Sequence, residues 1–83
     1  MDNLLDRLEE LSRIHDLIRR RATGDPETLA RRLGTSRATV FRRIQDLRDE
    51  GAEIGYDKEK PTYCYEKPFY LERLKKILTS LNE

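Results

Sequence analysis

The stretch at residues 26–50, PETLARRLGTSRATVFRRIQDLRDE, reads as two short helices joined by a sharp turn. Asp25 stands where an N-cap belongs, Pro26 suits the first helical position because its missing N–H has no intrahelical partner to lose, and Glu27 complements the helix dipole. Leu29, Ala30 and Leu33 form the inner face. Gly34 stops the helix, since a left-handed residue just past the last turn costs glycine nothing in Cβ contacts. The Ser36 hydroxyl is placed to cap a second helix, Arg37–Asp49, on which Val40, Ile44 and Leu47 recur at i, i+4, i+7.

At about 100° per residue, the opposite side of that second helix presents Ala38, Thr39, Arg42, Gln45 and Asp46, flanked by Arg37, Phe41 and Arg43. A small Ala30 lets two helices approach, Gly34 makes the turn four residues on, and Val40 locks the pair six residues later. That spacing is the one of a helix-turn-helix, whose second helix enters the major groove of DNA.

The charge is distributed accordingly. The whole chain carries a formal +1, but from Arg19 to Arg48 there are nine arginines (Arg19, Arg20, Arg21, Arg31, Arg32, Arg37, Arg42, Arg43, Arg48) against Asp25, Glu27 and Asp46, which gives +6 and leaves −5 elsewhere. Such asymmetry is the footprint of a nucleic-acid surface, because neutralised phosphates release condensed counterions. Arginine also forks onto guanine edges and phosphates better than lysine does. The alternative reading of these charges is an ordinary solvated helix face.

Outward from this core, L-A-R-R-L-G-T-S-R-A-T-V-F-R-R-I-Q-D-L-R-D-E-G followed by I-G-Y-D and Y-C-Y resembles the winged helix-turn-helix at the N-terminus of bacterial regulators of the deoxyribose-operon-repressor type, and is similar to the DNA-binding domain of biotin-operon repressors. The resemblance runs from about Leu8 to Tyr65 and implies a fold rather than a target. Two positions depart from it. Thr35 occupies a turn position where the family often has an aliphatic residue, and Arg43 replaces a partly buried apolar one.

Residues 1–22 read as a long first helix, capped by Asp2 or Asn3, with Leu4, Leu8, Leu11, Ile14, Leu17, Ile18 and Ala22 on one broad face. The C-terminal half of that stripe is expected to cover the helix pair and the N-terminal half to meet a second subunit. His15 lies within the stripe, where a lone histidine is ordinarily a packed, hydrogen-bonded core residue; the sharper reading is a protonation-sensitive subunit contact. Arg19–Arg21 either complement the helix C-terminus or clamp phosphate. Thr23 and Gly24 leave room for a one- or two-residue strand pairing with the wing.

After Gly51 the pattern changes to period two, giving a wing over residues 53–65 with Lys58–Pro61 as its tip. Ile54 and Tyr56 share one face, as do Tyr63 and Tyr65, and Lys58 and Lys60 are candidate backbone contacts. Cys64 is read as a small apolar strand residue. A last helix over residues 68–82 carries Leu71, Leu74, Leu78 and Leu81 at heptad spacing. With Leu4 and Leu8, these are the candidate dimer seam.

Eighty-three residues make a single domain, mainly α with a small β-wing, in which a monomer buries only about 60% of its unfolded surface. No stretch nears the ~20 apolar residues of a membrane span and no apolar segment follows a basic N-terminus, so a cytoplasmic protein is expected, nucleoid-associated if bacterial. One cysteine and one histidine exclude an internal disulfide and offer no metal site. With no phosphate-binding glycine loop and no nucleophile motif, neither an enzyme nor a cofactor or small-molecule ligand is expected.

The expected function is sequence-specific binding of double-stranded DNA as a homodimeric transcriptional regulator on a palindromic site. Ser36, Arg37, Ala38, Thr39, Phe41, Arg42, Arg43 and Gln45 are the candidate contacts on the reading helix. The alternatives are a winged-helix protein-interaction module and the DNA-anchoring subunit of a larger assembly.

Overall fold

Local capping chemistry places each helix. In the computed structural model, which describes residues 3–71, α1 spans Leu4–Arg19, and the Asn3 side chain accepts a hydrogen bond from the Asp6 N–H at 2.8 Å. Helix α2, Pro26–Leu33, begins at Asp25, whose carboxylate accepts from the Thr28 N–H at 2.7 Å. Helix α3, Arg37–Asp49, begins at Ser36, whose hydroxyl accepts from the Thr39 N–H at 3.1 Å. Each cap satisfies an N–H that a helix start leaves without a partner.

The three helices end alike. At each terminus one residue turns left-handed, and the next N–H reaches back to a carbonyl five residues earlier: Ala22 to Leu17, Thr35 to Ala30, Ala52 to Leu47. The left-handed residue is Gly34 after α2 (φ 66°) and Gly51 after α3 (φ 103°), where glycine carries no Cβ penalty. After α1 it is Arg21, at φ 56°. The first helix therefore stops at Arg19, short of the Ala22 that periodicity predicts, because the chain must turn there to bring Thr23 against the wing.

Strands β1, Ile54–Asp57, and β2, Thr62–Tyr65, pair antiparallel in the register Ile54↔Tyr65 and Tyr56↔Tyr63. Tyr56 and Tyr63 pack edge to face, 5.1 Å between centroids. At the tip, the Asp57 carboxylate accepts from the Glu59 and Lys60 N–H groups at 2.9 and 3.3 Å. The expected extra strand at Thr23 is replaced by a side-chain device. The fully buried Thr23 hydroxyl accepts from the Tyr63 N–H at 2.8 Å, and its own N–H donates to the Thr62 hydroxyl at 3.2 Å.

The core lies where α1 crosses the α2–α3 pair and the wing: Leu8, Leu11, Ile14 and Ile18 against Leu29, Ala30, Val40, Ile44 and Leu47, closed by Ala52, Ile54, Tyr63 and Leu71. Two expected dimer contacts are thereby corrected. Leu8 and Leu71 are 4% and 5% exposed and pack inside this chain's own core, because the α1 stripe is wide enough to serve the helix pair along most of its length. Leu4, at 54% exposure, remains on the surface. Residues 68–71, where a last helix is expected to start, are not helical, and the rest of that stretch, with Leu74, Leu78 and Leu81, lies outside the described residues.

Candidate nucleic-acid interface

The two flanks of α3 differ in chemistry. Val40, Ile44 and Leu47 are at most 2% exposed and hold the helix to the core. On the outer flank Arg37, Ala38, Phe41, Arg42 and Gln45 are exposed, and Thr39 is half-buried beside Ser36, whose hydroxyl lies 3.1 Å from the Thr39 hydroxyl. Arg37 and Arg42 have no ion pair among the described residues, and both are exposed to solvent. The Gln45 amide donates to Asp49 at 2.9 Å, which sets its orientation on the same face.

Arg43 does not join this face, and its expected role in contacting DNA is corrected. It is 1% exposed, with Nε donating to Glu10 at 2.7 Å and Nη1 donating to Asp46 at 2.9 Å. The reason is helical phase: position 43 lies three residues after Val40 and four before Leu47, on the core side. An arginine held there needs carboxylate partners, and Glu10 of α1 supplies one from across the helix interface. Asp46, expected on the outer face, leans toward Arg43 instead. Glu10 is the residue that reading the sequence missed, since nothing local links it to a side chain 33 positions away.

Several other arginines of the basic segment are structural ties. Arg19 and Arg20 pair with Asp16 at 2.7 and 3.2 Å, and the Arg19 hydrogen bond is the main cause holding the Asp16 carboxyl below its usual range. Arg48 donates to the Ile54 carbonyl at 3.0 Å and so anchors the end of α3 to the wing. Arg32 donates to the Ala22 carbonyl at 2.9 Å, and Arg13 reaches the Arg32 carbonyl at 3.4 Å. Lys58 and Lys60 stand exposed at the wing tip.

Away from this face, His15 is packed as a lone histidine on an apolar helix face usually is. Its Nδ1 shares a 2.6 Å hydrogen bond with the Tyr65 hydroxyl, and its ring stacks edge-on to Phe69 at 5.9 Å. Burial pushes the Tyr65 phenol well above the usual tyrosine range. Cys64 is half-buried on the strand between the two tyrosines and forms no disulfide. Among the described residues no cluster of three His, Cys, Asp or Glu side chains could hold a metal ion, and no helix is long and apolar enough to cross a membrane.

A family model described as an HTH domain matches residues 7–60, well over half of the chain. The match begins on α1, includes both helices of the pair, and runs through β1 to the wing tip. No curated protein and no solved structure matches the chain.

Proposed function

Because the chain belongs to the HTH family of helix-turn-helix DNA-binding domains, we propose that it is a small transcriptional regulator that binds double-stranded DNA sequence-specifically as a homodimer. The observation that carries this reading is the outer flank of α3, where Arg37 and Arg42 are exposed and have no ion pair among the described residues, while the other flank is sealed into the core. In the major groove, Arg37 and Arg42 fork onto guanine O6 and N7, and Gln45 pairs with adenine. Ser36 and Thr39 at the helix start hold phosphate, and Lys58 and Lys60 reach the backbone from the wing tip. Within the family, the run from Leu29 to Gly51 and the hairpin after it favour the deoxyribose-operon-repressor type.

A single copy of so small a surface offers few base contacts, and a two-fold pair doubles them on a palindrome. The exposed Leu4 and Leu5 at the start of α1 and the heptad spacing of Leu74, Leu78 and Leu81 in the sequence support a seam between two copies. We read the chain as non-catalytic and without a cofactor, and place it in the cytoplasm with its DNA.

Selection of bound duplexes from a random pool tests the proposal. The expected product is an inverted repeat with half-site centres about 34 Å apart, bound with an affinity that falls by orders of magnitude between about 50 and 200 mM salt. No enriched sequence, or binding indifferent to salt, would refute it and favour an acidic protein as the partner of α3.

A further inference from the structure

Phe41 is 46% exposed on α3 and takes no part in the core, which Val40, Ile44 and Leu47 supply from the same helix. One turn before it stands Ala38, small and also exposed; one turn after it stands Gln45. The outer flank of α3 therefore carries an apolar patch, Ala38 and Phe41, inside a rim of Arg37, Arg42 and Gln45. An aromatic ring left half in water leaves much of its apolar area unused by the isolated fold, and its neighbours are the side chains already read as base contacts.

In the major groove the edges of the bases are donors and acceptors with one exception, the methyl group on C5 of a pyrimidine. We infer that the Ala38–Phe41 patch is a reader of pyrimidine C5-methyl groups, which thymine always carries and cytosine carries only when methylated. The position suits that role, since recognition helices meet base edges through their N-terminal half and Phe41 is the fifth residue of α3. The polar rim fixes the register, and the patch then discriminates by removing one methyl group from water. This rests on α3 being the major-groove helix.

The test uses the full chain and a duplex selected from a random pool. Each thymidine is replaced singly by deoxyuridine, which deletes the methyl and leaves base pairing intact. At least one position per half-site should then lose about four-fold in affinity, the worth of one buried methyl-sized group. Phe41→Ala should abolish that loss, while Phe41→Leu, which stays apolar, should keep most of it. In a second arm the sensitive T·A pair becomes C·G, with cytosine plain or 5-methylated, and wild type should prefer the methylated duplex about four-fold where Phe41→Ala does not.

A response in the deoxyuridine arm alone assigns the patch to thymine; a response in both assigns it to C5-methylpyrimidines generally. A bound duplex with no deoxyuridine-sensitive position, or sensitivity unchanged in a folded Phe41→Ala protein, overturns the inference while leaving DNA binding intact. Failure of the selection to return any duplex removes the DNA reading itself, and this inference with it.

Discussion

Deleting the Arg43 guanidinium probes the arrangement of α1 and α3 most directly. The side chain is 2% exposed, with Glu10 at 2.7 Å and Asp46 at 2.9 Å. Breaking a buried ion pair by removing one partner costs about 3–5 kcal/mol, because charge is left uncompensated. The carboxylates that would remain are 23% and 28% exposed, so water reaches part of each, and the expected cost of Arg43→Ala sits at the low end, about 3 kcal/mol. A domain of this length has about 4–12 kcal/mol in total, so the loss is a large share of it.

Urea unfolding followed by circular dichroism measures the effect. With a slope of about 1 kcal/mol per molar for a small domain, the midpoint should fall by about 3 M. Crossing Arg43→Ala with Glu10→Gln should give a coupling of about 1–3 kcal/mol, since the two side chains share one contact. A cost below about 1 kcal/mol together with a coupling within about 0.3 kcal/mol of zero would refute the buried triad. DNA binding gives an independent check: Arg43→Met, which keeps the volume, should leave the salt dependence unchanged. A slope reduced by about one would mean that the guanidinium reaches a phosphate after all.

Arg42→Ala should weaken binding to a selected site by about 1–3 kcal/mol and relax preference at one base pair, as read by titration against single-pair variants of that site. Thr23→Val deletes the hydroxyl that serves the Tyr63 N–H inside the core, and should lower stability by about 1–3 kcal/mol in the same urea assay. Arg21→Gly should raise the melting temperature, because glycine occupies φ 56° without the roughly 1 kcal/mol strain of a side chain there. The Asp25 carboxyl is held below its usual value, chiefly by the hydrogen bond from the Thr28 backbone. Its contribution is therefore present above the unfolded value of 3.8 and lost as pH falls through the lower folded value. Asp25→Asn, which still caps, should flatten that part of the acid unfolding curve.

Much of the fold was legible because its causes are local. Asp25, Gly34 and Ser36 act within four residues of themselves, and the alternation of Ile54, Tyr56, Tyr63 and Tyr65 puts the four on one face of the wing, where Ile54 and Tyr63 are buried and Tyr56 is exposed. What escaped were contacts whose partners lie far along the chain. The Thr23 hydroxyl meets the wing 40 positions on, and no spacing rule announces that a side chain will do the work of a strand. The end of α1 is likewise hard to read locally: Ile18 and Ala22 continue the helical stripe and arginine is a good helix former, yet the helix ends at Arg19, where Arg21 turns left-handed and Thr23 meets the wing.

Arg43 shows how phase and identity compete. Its position between Val40 and Leu47 points inward, while an arginine ordinarily points out; the phase wins because Glu10 and Asp46 stand ready to receive the charge. That outcome separates two properties that net charge runs together. Arg32 and Arg48, bound to backbone carbonyls, keep their full charge and add to the field that draws a polyanion in. One nitrogen of each guanidinium is tied to the main chain, however, which fixes where its remaining donors stand. On the proposed reading, steering therefore draws on most of the basic segment, whereas discrimination between sequences falls to the exposed side chains of α3: two guanidinium groups with no ion pair among the described residues, one amide already oriented by Asp49, and the half-exposed ring of Phe41.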